Sequence, residues 1–392
     1  MLEQVLEDRT ITLRPTTAFV ALDALRANLR AIRARVGDRV RIMAVVKANA
    51  YGHGLIRTAR ELLVAGADEL GVAFLEEGIA LRRAGVTAPI LVLGGIIGRQ
   101  VTHYLEHDLA ITAASPFKLR QIEEIAAARG VRAKVHLKID TGMERIGIHW
   151  DHADALFSAA AEARFSDVLG VFSHFSTSDE ADPTHTRIQL ERFLEATSWF
   201  SRNSLPTPPL HIANSGAILQ HPDTFFEMVR PGALLYGFYP SEEVRRTVEV
   251  RPALSLVTRV VFFKVVRPND PVGYGRKFRP ARATRVVTLP VGYGDGYSRA
   301  LGGRASVLLG GHRYPAVGSV TMDAIMVDVG SGSAYVGDEA VLIGRQGSEE
   351  ITAEELAGLI GTIPYEVLTS IGARVPRVYL EPGEERSKYL SD

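Results

Sequence analysis

The chain contains no cysteine. That excludes disulfides, thiolate metal sites and cysteine nucleophiles together, and it suits the cytosol. It also lacks an excess of either charge. Lys+Arg and Asp+Glu number 45 each, with no long acidic or basic run, so the basic surplus that a nucleic-acid surface needs is missing. No stretch is long and apolar enough to span a bilayer, which argues against a membrane protein. The N-terminal residues 1–9 carry acids and no apolar core, so they do not read as a secretory signal. Internal repeats and low-complexity tracts are missing too. What remains is an ordinary soluble composition, 46% apolar and 23% charged, enough for a large core in two or three domains.

From Thr17 to about Tyr239, short β-branched runs alternate with helical stretches. A first helix covers Leu22 to Arg35, with Leu22, Leu25, Leu29 and Ile32 at helical spacing. Eight strand candidates end near Lys47, Phe74, Leu93, Thr112, Asp140, His174, Ala213 and Leu235. Helices are expected over Leu55–Val64, Glu77–Ala84, Lys118–Arg129 and Thr186–Phe200. This alternation predicts a parallel sheet, and eight such strands predict a closed TIM-like (β/α)₈ barrel. The rival, an open doubly wound sheet, would want G-x-G-x-x-G after its first strand, where Lys47-Ala48-Asn49-Ala50-Tyr51-Gly52 stands. After Pro240 the helical signal thins. Strands are expected within Ala253–Val266, Arg285–Leu289, Ser306–Leu309, Ile325–Val329 and Ala340–Ile343. One helix, Leu356–Ile360, follows a capping box from Thr352 to Glu355. The reading is a barrel domain over 1–242 and a mostly β domain over 243–392, with the boundary near Pro240–Arg251.

Polar residues gather where the barrel strands end, the place where barrels keep their chemistry. The apolar run Ile42–Val46 closes on Lys47. A lysine at the end of a buried strand is costly while charged, and the same cost makes a neutral, nucleophilic amine available for Schiff-base chemistry. The plain alternative is a lysine that reaches to solvent. Lys138 and Asp140 close the fifth strand, with Arg145 just beyond. His174 follows the sixth, Asn214 and Ser215 the seventh, and Arg230 lies in the eighth region. His103 and His107 have i, i+4 metal-ligand spacing, but no third ligand is evident and a solvated helix face explains them. The glycines suit a barrel with many turns.

In order along the chain, several stretches together resemble the alanine racemase family. They are Ala44–Gly54, Lys138–Met143 with Arg145, Ser173–Phe175, His211–Ser215, Arg230–Gly232 through Tyr236-Gly237, Val272–Gly275, Gly292–Gly296, Thr321–Asp323 and Pro364–Glu366. The resemblance covers nearly the whole chain and is specific by joint occurrence. It implies pyridoxal 5'-phosphate (PLP) attached to Lys47, and a homodimer with shared active sites acting on alanine. Lys47 would be the base on one face of the substrate. Tyr274, from the partner subunit, would be the base on the other. A phenol near its reference pKa of about 10 is a poor base at neutral pH, and His174 is its expected cationic or hydrogen-bonding neighbour. Arg230 would face the pyridine nitrogen and leave it unprotonated, with His211 orienting the guanidinium. Tyr51, Asn214, Ser215, Tyr365 and the backbone of Gly232 and Ala233 match the cofactor-binding residues. Arg145, Met322, Asp323 and Tyr293 match the substrate side. Lys138 matches a lysine that many members carbamylate. We expect that modification, because an anion beside Arg145 repairs the electrostatics unless Asp140 intervenes.

Three positions depart from the family pattern: Glu144 and Ser319, where glycine and arginine are frequent, and Thr321, which replaces a common cysteine. Asp179 and Arg299 still match. The resemblance implies D-alanine supply for peptidoglycan. Rival classes are a racemase of another small amino acid such as serine, a PLP decarboxylase and a PLP carrier protein. Decarboxylases typically place an acid where Arg230 stands and use a cysteine. The carrier lacks a β domain and a second base.

Overall fold

The computed structural model describes residues 14–389, and the acidic stretch 1–9 lies outside the described residues. The chain divides into two compact units. One comprises Leu25–Ala50 and Leu55–Arg251. The other gathers the described residues up to Ala24, the turn Tyr51–Gly54 and everything from Pro252 onward.

The strands before Pro252 are β1 Thr17–Ala21, β2 Arg41–Val45, β3 Glu69–Val72, β4 Ile90–Val92, β5 Ala110–Ala113, β6 Ala133–Asp140, β7 Ile148–His149, β8 Ser166–Phe172, β9 Leu210–His211 and β10 Met228–Val229. Within the first unit, the hydrogen-bonded order β10-β2-β3-β4-β5-β6-β8-β9 is parallel throughout. Past the strand ends, Arg230 N–H donates to Ala213 O at 2.9 Å, which all but closes the ring into the expected barrel. Met43, Leu91, Ala110, Phe172 and Met228, from five of the strands, pack together as one apolar cluster.

Local signals account for most of the boundaries. Helix Leu55–Val64 falls where its period places it. Helix Pro116–Arg129 begins two residues before its expected start, because the Ser115 side chain accepts from Lys118 N–H at 3.2 Å and Pro116 opens the first turn; Gly130, at φ 65°, ends it. The expected helix Thr186–Phe200 is two, Thr184–Thr197 and Trp199–Arg202. One strand end needs correction: the eighth strand stops at Val229, and Ala233–Tyr236 is a short helix. That segment is buried along its whole length, so its apolar run carries no periodicity to tell strand from helix.

In the second unit, β1 pairs antiparallel with β11 (Leu254–Arg259) and parallel with β19 (Arg377–Leu380). The remaining strands are β12 Phe262–Val266, β13 Thr284–Leu289, β14 Ser306–Leu309, β15 His312–Val317, β16 Ile325–Gly330, β17 Glu339–Gln346 and β18 Glu349–Ile351. The order is β12-β13-β16-β15-β14-β17-β11-β1-β19, with β18 against β17. Thr352 caps the helix Ala353–Ile360, its hydroxyl accepting from Glu355 N–H at 3.0 Å. Among the described residues no helix is long and apolar enough to cross a membrane.

Candidate active site

In the barrel unit, Ile42–Val46 form an unbroken buried run. Val46 N–H still pairs with Gly71 O at 2.8 Å, so Lys47 stands at the rim. The backbone then turns left-handed through four residues that are not glycine: Ala48, Asn49, Ala50 and Tyr51 have φ of 52°, 55°, 52° and 52°. Such residues resist this conformation by about 1–2 kcal/mol each. The turn is held by Ala50 N–H to Val46 O at 2.8 Å, by Ala48 N–H to Glu77 Oε1 at 2.7 Å and by Leu55 N–H to Asn49 Oδ1 at 2.8 Å. Burial lowers the Lys47 pKa; Arg145 and Arg230 push the same way and Glu77 opposes them. Lys47 is therefore a better nucleophile at neutral pH than an exposed lysine.

Arg230, buried behind the rim, has both terminal nitrogens of its guanidinium engaged. Nη1 donates to His211 O and His211 Nδ1, both at 2.9 Å. Nη2 donates to Ser173 O at 2.7 Å, Ile212 O at 3.2 Å and His174 Nδ1 at 3.3 Å. Burial brings its pKa down to about 9, which leaves it charged at neutral pH. A guanidinium only donates, so both imidazole Nδ1 atoms must accept. The His211 proton then sits on Nε2, which faces His136 Nδ1 at 2.9 Å. A chain of donors runs from Arg230 through His211 to His136, and each imidazole is neutral. Burial, then Arg230, hold His211 and His174 well below the usual imidazole range. Burial, then Arg41 and Arg230, bring His136 to about 3. His174 can therefore offer a neighbour hydrogen bonding, not charge.

Lys138 is buried with Nζ 4.5 Å from the centre of the Phe172 ring, and Arg230 Cζ lies 5.3 Å from the same ring. Burial and then Arg230 lower the Lys138 pKa strongly, with Asp140 opposing. Asp140 is spent on the following loop: Oδ1 accepts from Gly142 N–H at 2.8 Å and Met143 N–H at 2.9 Å, and Oδ2 from Arg145 N–H at 3.1 Å. Burial alone would raise its pKa, but these and the Glu144 amide hold it below the usual carboxylate value. Glu144 adopts φ 53°, the left-handed region that favours glycine, and its carboxylate lies 3.2 Å from His149 Nε2.

At the ends of β9 and β10, Ser215 Oγ accepts from Gly232 N–H at 3.0 Å and Leu234 N–H at 3.5 Å. Ser215 and Ala233 open short helices beside each other. Asn214 Oδ1 caps the first of these, accepting from Ala217 N–H at 3.0 Å and from Ser178 Oγ at 2.7 Å.

The other unit carries its candidates on turns. Tyr274 is 76% exposed between Gly273 and Gly275, at φ 69° and 74°, and its carbonyl accepts from Ser319 Oγ at 3.3 Å. The loop of Tyr293 docks on that of Met322: Tyr293 N–H donates to Thr321 O at 3.0 Å and Gly294 N–H to Met322 O at 2.9 Å. A Cβ at Gly292 would collide with the Thr321 and Met322 carbonyls. The glycine run Gly292–Gly296 thus forms a tight turn against the Thr321–Met322 backbone. Asp323 pairs with Arg374 at 2.6 Å, and Thr321 closes its own turn through Ala324. The Tyr51 and Tyr365 rings lie 5.9 Å apart.

Two residues beside Lys47 and Arg230 escaped the sequence reading. His136 had a usable signal, because 136, 138 and 140 alternate onto one face of β6. Glu77 had none, since its contact with Ala48 depends on the left-handed turn. The spaced histidines are surface residues: His103 Nδ1 faces Glu106 at 3.0 Å, and no metal-holding cluster occurs among the described residues.

Known proteins resemble this chain in both sequence and fold. The family described as "Alanine racemase, N-terminal domain" matches residues 20–240, and "Alanine racemase, C-terminal domain" matches 253–379. An alanine racemase of Symbiobacterium thermophilum is 45% identical over 368 residues, 94% of this chain and 97% of the relative. The structure of an alanine racemase from Clostridium difficile superposes with a TM-score of 0.90 at 37% identity, over 96% of this chain and 98% of that one. A histidine racemase from Leuconostoc mesenteroides shares the fold at TM-score 0.87 and 29% identity, over 95% and 100% of the two chains. Matched through both of its halves, the chain belongs to the alanine racemase family.

Proposed function

We propose that the chain interconverts L- and D-alanine as a cytoplasmic homodimer using PLP, and that it supplies D-alanine for peptidoglycan. The observation that carries the reading is the pairing of a half-buried, easily neutralised amine at Lys47 with an Arg230 whose hydrogen-bond partners are all acceptors. The residues suit the cofactor: Lys47 for its aldehyde, and Ser215 with the Gly232 and Ala233 backbone for its phosphate, joined in the proposal by Asn214, Tyr51 and Tyr365. Bound there, PLP would act as the electron sink for the substrate carbanion.

Arg230, unable to accept a proton, would leave a facing pyridine nitrogen unprotonated and so moderate the sink, which would disfavour side reactions such as transamination. His211 holds its guanidinium in place. Arg145, with Met322, Asp323 and Tyr293, takes the substrate carboxylate side. Lys138, buried beside cations that disfavour its own charge, is suited to carbamylation, since only a neutral amine adds CO₂. Lys47 Nζ exchanges the proton on one face of Cα, and the partner subunit's Tyr274 exchanges it on the other, with His174 as hydrogen-bonding neighbour. A second reading, racemisation of another small or polar amino acid, has support from the histidine racemase relative.

The test is incubation of purified, cofactor-loaded protein with L- or D-alanine in D₂O. Racemisation puts deuterium at Cα and erases optical purity from either side. Release of CO₂ would mark a decarboxylase, and cofactor binding without exchange a carrier.

A further inference from the structure

Glu77 is the third residue of the helix Leu75–Arg83, following β3. From that position a glutamate ordinarily reaches back to the helix's own first amides. One oxygen does so: Oε2 accepts from Ala73 N–H at 2.8 Å and Phe74 N–H at 3.2 Å. Oε1 leaves the helix and accepts from Ala48 N–H at 2.7 Å. Ala48 directly follows Lys47 and begins the left-handed run.

We propose that Glu77 is a positioning residue for Lys47, its carboxylate fastening the strained turn that carries the lysine to the end of the adjacent barrel strand. Four consecutive residues at unfavourable φ need an external restraint to persist, and a charge-assisted bond at the first of them is well placed to give it. The carboxylate also brings negative charge to a lysine otherwise faced by cations. Arg145 approaches from the loop after β6, Arg230 from the end of β10 and the neutral His174 from the end of β8. Glu77 thus limits how far burial and the two arginines depress the lysine, and keeps its side chain aimed from a fixed backbone.

The inference deepens the reading of Lys47 as cofactor anchor and rests on it, so its test has one arm that needs no cofactor. Full-length wild type, Glu77→Asp and Glu77→Gln are compared. In cofactor-free protein, hydrogen exchange at the Ala48 amide should quicken about tenfold or more in Glu77→Asp, which is one methylene too short to reach it. Amides within Leu75–Arg83 should change far less. In cofactor-loaded protein, the pH at which the visible band titrates should fall by about one unit in Glu77→Gln, which loses the charge, and much less in Glu77→Asp. Unchanged Ala48 exchange, equal acceleration along Leu75–Arg83, or an unmoved midpoint in Glu77→Gln would each overturn the role of Glu77. If wild type forms no visible band on Lys47 while Ala48 exchange responds as expected, the fastening stands and the cofactor reading fails.

Discussion

The two ends of the barrel handle charge in opposite ways. Around the N-terminal ends of the strands lies a cavity of about 570 Å³ lined by Arg41, Glu69, Asp108, Lys134 and His136 among others. There the charges are matched: Arg41 pairs with Glu69 and Lys134 with Asp108. At the C-terminal ends, Lys47, Lys138, Arg145 and Arg230 all act on His174. Among the described residues none of these four forms an ion pair, and the nearby Asp140 is occupied by backbone amides. One mouth is neutralised for stability. The other leaves the Arg145 and Arg230 guanidiniums without ion-paired carboxylates, which suits an anionic guest such as the phosphate-bearing cofactor and substrate carboxylate proposed above. The His211–His136 pair runs between them, and it carries orientation, since both rings stay neutral.

Substitutions should divide along the same line. The largest effect belongs to Lys47→Ala, which should abolish the visible band and cut racemisation by at least about 10⁴-fold, the upper range for losing a positioned base. Arg230→Met comes next. It strands the Ser173, His211 and Ile212 carbonyls in the core, so urea unfolding should show about 3 kcal/mol or more of lost stability.

His136→Leu is subtler and depends on pH. At pH 7 it should cost about 1–3 kcal/mol, because the His211 Nε2 proton loses its acceptor. The unfolded imidazole takes a proton near 6.5, whereas folded His136 resists until about 3. Across that window the unfolded state binds more protons, so wild type loses stability as pH falls, by about 1.4 kcal/mol per unit for this group. The variant lacks that contribution, so thermal unfolding at pH 7 and pH 5 should show the gap between the two proteins narrowing in acid. At the matched mouth, Lys134→Met should change stability by no more than about 1 kcal/mol and leave turnover as it was. A large loss of activity there would undo the contrast between the two ends.

Much of this was legible in the sequence, and the exceptions have physical causes. The barrel strands are short apolar runs, and the residues after them could be assigned to one mouth by topology alone. β1 is not among the expected strands, and its partners are more than 200 residues away, so no local pattern assigns it to the β unit. β15 has a polar start and a proline, yet the Gly310-Gly311 pair before it, both at positive φ, forms the hairpin turn that joins it to β14. That signal was readable and was missed. The left-handed turn after Lys47 was not readable, since Ala-Asn-Ala-Tyr carries no glycine to announce it. With that turn hidden, Glu77 was hidden too.

The decisive comparison is between the two faces of the substrate. Cofactor-loaded Tyr274→Phe is incubated in D₂O with each enantiomer of alanine, and Cα deuteration is followed at early times. The two-base assignment requires proton loss from L-alanine to fall by about 10²-fold or more, while loss from D-alanine, served by Lys47, falls much less. Equal, small effects on both enantiomers would contradict it.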